Sequence, residues 1–341
     1  MQSSSKPQHL DRQFYATLEK KTWLESELVR SWLVNDPTLY ADVLKSPEMS
    51  LPGLGPVIDH LEARTGRPLK HLRRATKITP VMFDGADHAP LRRALAVYFS
   101  HKAVLAEQML PKALNEFLAP LQKPGLVDVY HHIVKGLVAE FMALLAGKSL
   151  PHEILELRLD RIIISNLSPS EVLDLDRRFG IAFGFFEEDC ADEMEMACRV
   201  GCITFGSETL VMMLVENILS AISASSPSHP AVLPSFPAET GVPLTWRRAS
   251  QDVVIGGCPV KSGDYVKMRL QAAAYSETPA IRNVIFGAGL HSCIGKQISL
   301  VLWEQITLAF NALKIRGRLG TYDAIVEPYM RRYNKAEVEI L

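Results

Sequence analysis

The order of apolar and polar positions predicts a mostly helical chain. In "HHIVKGLVAEFMALLAG" apolar residues recur at helical spacing and stop at Gly147. "DHAPLRRALAVYFSHKAVLAEQMLPKALNEFLAPL" keeps the same period and reads as two or three helices. "WLESELVRSWLV" and "DPTLYADVLKS" read as helical or mixed, and a long helix is expected from about Asp192 to Ile222. The segment "SASSPSHPAVLPSFPAETGVP" then holds five prolines and reads as irregular connection. Strand signals follow: "LTWRRAS", "DVVIGGCPV" and "DYVKMRLQAAAY" alternate apolar and polar residues between Gly and Pro turns. From Ile294 onward a helix puts Ile298, Val301, Leu302, Ile306, Ala309, Phe310 and Leu313 on one face, before a short mixed tail. With no internal repeat or low-complexity tract, the expectation is a mainly α chain with a small β region, forming a single domain over residues 1–341.

Charge and composition narrow the function classes. The chain carries 37 basic and 38 acidic side chains, so nothing in its balance points to nucleic acid or an anionic membrane surface. The N-terminus is polar, without an apolar signal core. The greasiest stretch, "LVMMLVENILSAI", is interrupted by Glu216 and Asn217 and falls below the roughly 20 residues of a membrane span. A cytoplasmic protein without membrane or nucleic-acid partners is expected. Five cysteines, widely spaced and odd in number, argue against a disulfide framework. Cys198 and Cys202 lie four apart without further ligands nearby, which suits two small buried hydrophobes better than a zinc site.

The stretch "NVIFGAGLHSCIGKQISLVLWEQI" places Cys293 between a glycine-rich loop and a helix start. Unpaired amides and the helix dipole at such a position favour a thiolate, so the thiol pKa is expected to fall. Gly287 and Gly289 allow a sharp turn, and Gly295 lets a flat ligand approach the first helical turn. The residues alone leave three uses open: a metal ligand, a nucleophile, or a buried structural cysteine. For the second, His291 is near but has no evident orienting partner.

The pattern Phe286-Gly287-x-Gly289-x-His291-x-Cys293-x-Gly295 resembles the haem-binding signature of the cytochrome P-450 family, the haem-thiolate monooxygenases. The resemblance implies a cytochrome P-450 fold, haem b as cofactor and Cys293 as proximal iron ligand, with Phe286, Gly287, His291 and Gly295 around it. It extends to "ITFGSETL", where Gly206, Glu208 and Thr209 match the family's small-residue, acid and threonine pattern on the long central helix. There Glu208 and Thr209 would be catalytic, relaying protons; the plainer alternative is a threonine bonded to its own helix and a solvated glutamate. "FDGADHAPLRRALAVYFS" resembles the helix beside the haem, which assigns His88 and Arg92 to the propionates; a surface basic face is the alternative. In "GVPLTWRRASQDVVIGGCPVKSGDYV", Arg247 matches a propionate-binding arginine. Alternation sends its neighbour Arg248 the other way, so one of the two is expected to be exposed. Cys258 would be structural, and His291 also matches a propionate-facing position.

Two features depart from the family pattern. The usual Glu-x-x-Arg pair is missing: Pro234 and Pro237 stand at the matching places and argue against the helix itself. Almost no room remains before the Cys loop, where the family carries a winding segment. The leading expectation is a shortened haem-thiolate oxygenase that hydroxylates or otherwise oxidises a small organic molecule. Electrons would come from a separate ferredoxin- or flavodoxin-type protein, since no flavin or nicotinamide fingerprint is present. Two alternatives stay open: an isomerase or dehydratase without net redox change, and a haem-binding protein that has lost monooxygenase activity. Specificity is expected around residues 51–69 and 159–186, where "GIAFGFF" reads equally as pocket lid or as core.

Overall fold

The computed structural model describes residues 31–341 apart from Asn35, Pro52, Ser165, Asn166 and residues 327–330. Strand β1 (Ser31–Val34) is followed by α1 (Tyr40–Lys45), β2 (Met49–Ser50), α2 (Gly55–Thr65) and α3 (Lys70–Ile78). Helix α4 spans His88–Leu118, β3 Gly125–Asp128 and α5 Lys135–Ala146. The one-turn helices α6 (His152–Leu155) and α7 (Arg161–Ile164) lead to α8 (Pro169–Glu187) and α9 (Glu193–Ser223). Strands β4 (Thr245–Ala249), β5 (Val253–Ile255), β6 (Cys258–Val260) and β7 (Tyr265–Met268) come next, then α10 (Leu270–Ala274) and α11 (Pro279–Arg282). Helix α12 (Lys296–Ala312) precedes the hairpin β8 (Gly317–Val326) and β9 (Arg331–Ile340).

Helix α9 is the axis of the helical layer and packs against α3, α4, α5, α8 and the β8–β9 hairpin. It starts where Asp192 accepts from the Glu195 amide at 2.9 Å. Its 31 residues are apolar enough to cross a membrane by composition, but most of that surface is packed inside the fold. The stretch around Glu216 and Asn217 is the C-terminal half of this long core helix, within the span expected from Asp192 to Ile222. Helix α4 buries Leu91, Leu95, Phe99, Ala103, Ala106 and Leu110 at helical spacing and packs on α12. It is one helix of 31 residues, not two or three. Pro111 interrupts its hydrogen bonds on the exposed side, where water can satisfy the freed Glu107 carbonyl. Helix α5 ends at Gly147, whose φ of 83° closes the last turn.

The main sheet runs β1-β7-β4-β2, with β1 parallel to β7 and the other pairs antiparallel. Its faces bury Val266, Met268 and Ala249 in a second apolar cluster with Tyr40, Val43, Leu270 and Ala273. Ser31–Val34 is thus a strand rather than the end of a helix, while residues 23–30 of that expected element lie outside the described ones. The strand expected over "DYVKMRLQAAAY" stops at Met268, and α10 takes up the rest. A second sheet, β3-β9-β8, turns the expected short tail into two ten-residue strands.

Residues 224–244 form no helix. Side-chain amides hold this irregular run instead. Asn217 on α9 accepts from the Ala238 and Glu239 amides at 2.9 and 3.1 Å and donates to the Glu239 carbonyl at 3.1 Å. On α12, Asn311 accepts from the Leu233 amide and donates to its carbonyl, at 2.8 and 3.0 Å. Gln271 on α10 accepts from Thr240 N and donates to Ala238 O, and Trp303 Nε1 donates to Pro234 O at 3.0 Å. An amide side chain offers the same donor and acceptor as a peptide group, so a chain without ladder partners can be buried this way.

Candidate functional site

The run before α12 builds the site from its backbone. Residues Asn283–Phe286 and Gly289–His291 form short 3₁₀ turns on either side of Gly287 and Ala288. Gly287 and Gly289 have φ of 71° and 67°, which other residues rarely adopt. A Cβ on Gly289 would also stand 2.7 Å from the Leu44 carbonyl, so the loop lies directly on α1. The Cys293 amide donates to the Phe286 carbonyl at 2.5 Å, closing the loop. Helix α12 then starts at Lys296, two residues later than the sequence suggests, with Gly295 as its cap. The Gly295 and Lys296 amides face the Cys293 sulfur and favour its thiolate.

A cavity of about 410 Å³ lies between this loop and α9. Cys293, Phe286, Gly287, His291 and Gly295 line it from the loop, Gly206 and Thr209 from α9, and Arg92 and Arg247 from its flanks. Cys293 has an exposed side chain because its sulfur faces this cavity, although protein surrounds the residue. Desolvation pushes its thiol above the ordinary value and outweighs the two amides, Arg92 and Lys296. The expected fall is therefore not what the protein alone produces. A bound cation would reverse it, because a coordinated thiol is deprotonated outright.

The cationic groups sit as follows. Arg247 is 4% exposed and Arg248 exposed, as alternation requires. Arg247 donates to the Trp246 carbonyl at 2.8 Å and has no ion-pair partner among the described residues. Burial lowers its pKa to about 10, against the pull of Asp84. Arg92 donates to the Ser292 carbonyl at 2.7 Å, and desolvation lowers it too. His291 Nε2 lies 2.5 Å from Asp84 Oδ1, while its Nδ1 is buried without a hydrogen-bond partner. His88 is placed differently. Its ring is 4.6 Å from that of His291 and edge-on to Phe83, it does not line the cavity, and burial lowers its pKa. Asp84, which the sequence reading passed over, is the acidic member of this cluster. Its place four residues before His88 was the available signal.

On α9, Thr209 Oγ1 donates to the Gly206 carbonyl at 3.1 Å. A Cβ on Gly206 would meet the Met142 methyl at 3.3 Å. Glu208 does not line the cavity, and its charge acts on Tyr130 instead. Gly241 seats the irregular run against α9, since a Cβ there would fall 1.9 Å from the Thr209 carbonyl. Cys258 is exposed on the β5–β6 hairpin, away from the cavity. The "GIAFGFF" stretch belongs to the core: Ala182, Phe183 and Phe186 are buried and none of its residues reaches the cavity. Leu51, Leu54, Asp160 and Ile163 do reach it.

No protein-family model matches the chain. It is 24% identical to proteins of Mycobacterium bovis and Mycobacterium tuberculosis named provisionally as cytochrome P-450 140, over 79% of this chain and 75% of theirs. Among solved structures it resembles P-450 BioI in complex with hexadec-9Z-enoic acid ligated acyl carrier protein. The TM-score is 0.72 at 17% identity, over 96% of this chain and 98% of that one. CalO2 superposes with a TM-score of 0.71 at 16% identity, covering 98% and 97%. RauA, complexed with a biosynthetic intermediate of aurachin RE, gives 0.70 at 16%, covering 98% of each chain. The chain has the cytochrome P-450 fold. Among the described residues it lacks the helix that would carry Glu-x-x-Arg. Cytochromes P-450 bind haem b through a cysteine thiolate and are oxidoreductases of the haem-thiolate oxygenase class.

The residues present fit haem b. The group is flat, carries two carboxylates and needs one axial anion. The cavity offers a sulfur backed by two amides, a buried Arg247 and a half-buried Arg92 guanidinium without a carboxylate partner among the described residues, and an unsatisfied His291 Nδ1. A Cβ at position 295 would stand at ordinary contact distance, 3.9 Å, from the sulfur.

Proposed function

We propose that this chain is a haem-thiolate oxygenase that oxidises, by hydroxylation, a small and mainly apolar molecule with O2. Electrons would come from a separate ferredoxin- or flavodoxin-type protein in the cytoplasm, and residues 1–341 would act as one haem domain. What carries the reading is a single cavity walled by the Cys293 sulfur on one side and by Gly206 and Thr209 on another. Cys293 would hold the iron, and Arg92, Arg247 and His291 the propionates, with His88 behind His291. When bound, haem supplies one-electron and oxygen chemistry.

The chain's own residues then divide the remaining work. Leu95, Phe99, Leu210 and Met213 exclude water from the cavity. Thr209 Oγ1, bonded to the Gly206 carbonyl, can swing its proton toward the cavity. Glu208 would resupply that hydroxyl from the Tyr130 side of α9, a longer route than the adjacent pair suggests. That longer route also supports a second reading, an isomerase or dehydratase without net redox change. Oxygen uptake with donor and substrate separates the two.

The test is the spectrum of the reduced protein under carbon monoxide. Cys293→Ala should abolish the thiolate-type Soret band, and Cys258→Ala should leave it intact. A band that survives in Cys293→Ala sinks the proposal.

A further inference from the structure

Phe236 lies between Pro234 and Pro237, in the irregular run that stands where the Glu-x-x-Arg pair is missing. Its backbone is fixed on both sides. Two residues before it, the Pro234 carbonyl accepts from Trp303 Nε1 on α12 at 3.0 Å. Two residues after it, the Ala238 amide donates to Asn217 on α9 at 2.9 Å, and the Ala238 carbonyl accepts from Gln271 on α10 at 2.9 Å. Three helices thus pin the segment that carries the Phe236 ring, which is half-buried against the second apolar cluster.

That ring meets the 3₁₀ turn Asn283–Phe286 at both ends. The Arg282 guanidinium, on the residue that leads into the turn, stands 5.7 Å from the Phe236 ring centre. The Phe286 ring, on the residue that ends it, lies 6.0 Å away with 86° between the planes. Both geometries are attractive, one as a cation over a ring and the other as a T-shaped pair. The Phe286 carbonyl in turn accepts from the Cys293 amide at 2.5 Å, and Phe286 lines the cavity with Cys293. A single 3₁₀ turn has poor hydrogen-bond geometry and holds itself weakly. A side chain that grips both of its ends therefore decides where its last carbonyl sits. We propose that Phe236 is a positioning residue for Cys293: its ring clamps the turn whose last carbonyl places the Cys293 amide. The purpose of the clamp rests on Cys293 being the iron ligand; the clamp itself does not.

The experiment is hydrogen exchange read by mass spectrometry on the purified holoprotein, over peptides covering residues 283–296. Phe236→Leu keeps an apolar side chain but removes the ring, and should raise exchange there about fivefold, the size of one aromatic pair. Phe236→Tyr keeps the ring and should stay within about twofold of wild type. Val232→Ala, at an exposed position of the same run, should leave these peptides unchanged. In a Phe286→Leu background, Phe236→Leu should add less than about twofold, because the pair is already broken. Under carbon monoxide, the thiolate-type Soret band of the reduced protein should decay faster in Phe236→Leu than in wild type or Phe236→Tyr. Exchange in Phe236→Leu that stays within about twofold of wild type overturns the proposal. So do an equal rise in peptides from α4, the same rise in Phe236→Tyr or Val232→Ala, the full effect in the Phe286→Leu background, and a thiolate-type band that is equally durable in Phe236→Leu. A wild type without that band counts against the haem-thiolate reading alone, and exchange still decides whether Phe236 clamps the turn.

Discussion

Replacing Asn217 by Leu tests whether side-chain amides stand in for the missing helical scaffold. Asn217 is 2% exposed, and Leu matches it closely in volume. The substitution removes the acceptor for the Ala238 and Glu239 amides and the donor to the Glu239 carbonyl. Each buried backbone group left without a partner costs about 1–3 kcal/mol. The run can open part-way toward water, so the low end applies to each, giving about 3 kcal/mol in all. That corresponds to roughly a hundredfold more frequent opening of this segment. Hydrogen exchange read by mass spectrometry on peptides covering residues 231–244 should show the lost protection, while peptides from α4 should not change. Because Thr240, Gly241, Val242 and Leu244 line the cavity, haem transfer to an acceptor protein should speed up as well. Protection of residues 231–244 unchanged within about twofold would refute the reasoning, since the run would then be held by something else.

Arg92→Ala and Arg247→Ala should each weaken haem retention about tenfold or more, measured as haem transfer to an acceptor protein, because each removes a charged hydrogen-bond donor. Thr209→Ala should divert reducing equivalents to hydrogen peroxide at near-normal haem content, whereas Glu208→Gln, which is off the cavity wall, should change product per electron less. Glu171 closes the capping box of α8, and the backbone bond from Ser168 holds its pKa below the ordinary 4.5. A carboxylate depressed by folding contributes stability above its unfolded pKa and loses it as pH falls through the folded value. The gap in thermal midpoint between wild type and Glu171→Gln at pH 6 should therefore shrink as the pH falls below the ordinary 4.5.

The cysteine loop was legible because its signal is local: glycines at positive φ, a histidine and a cysteine within ten residues of a strongly periodic helix. Helix α9 was legible from its length and caps. The undivided α4 was not, because tolerance of Pro111 depends on which side of the helix faces water, and that is a tertiary fact. The β8–β9 hairpin was hidden because β8 is mostly exposed or half-exposed, so no apolar alternation marks it. His88 and Arg92 share a helical spacing, yet His88 is turned toward Phe83 and the core while Arg92 reaches the cavity. Phe236 belongs to no motif at all. Its importance comes from the Phe286 ring beside it and the turn that Phe286 ends.

The parallel pairing of β1 with β7 has a consequence for biosynthesis. Trp32 Nε1 on β1 donates to Asp264 Oδ2 just before β7, a contact across 232 positions. Ribosomes add about 5–20 residues per second, so β1 waits on the order of ten seconds or more for the strand that covers it. β2 waits nearly as long for β4. Both early strands therefore emerge as open edges, which are sticky toward other nascent chains. The helices from α2 to α9 meet mostly through nearer neighbours and can collapse in the meantime. The order of synthesis thus separates the two walls of the cavity in time. The α9 wall can form before the cysteine wall has been translated, so a haem held by that loop would have to wait for it.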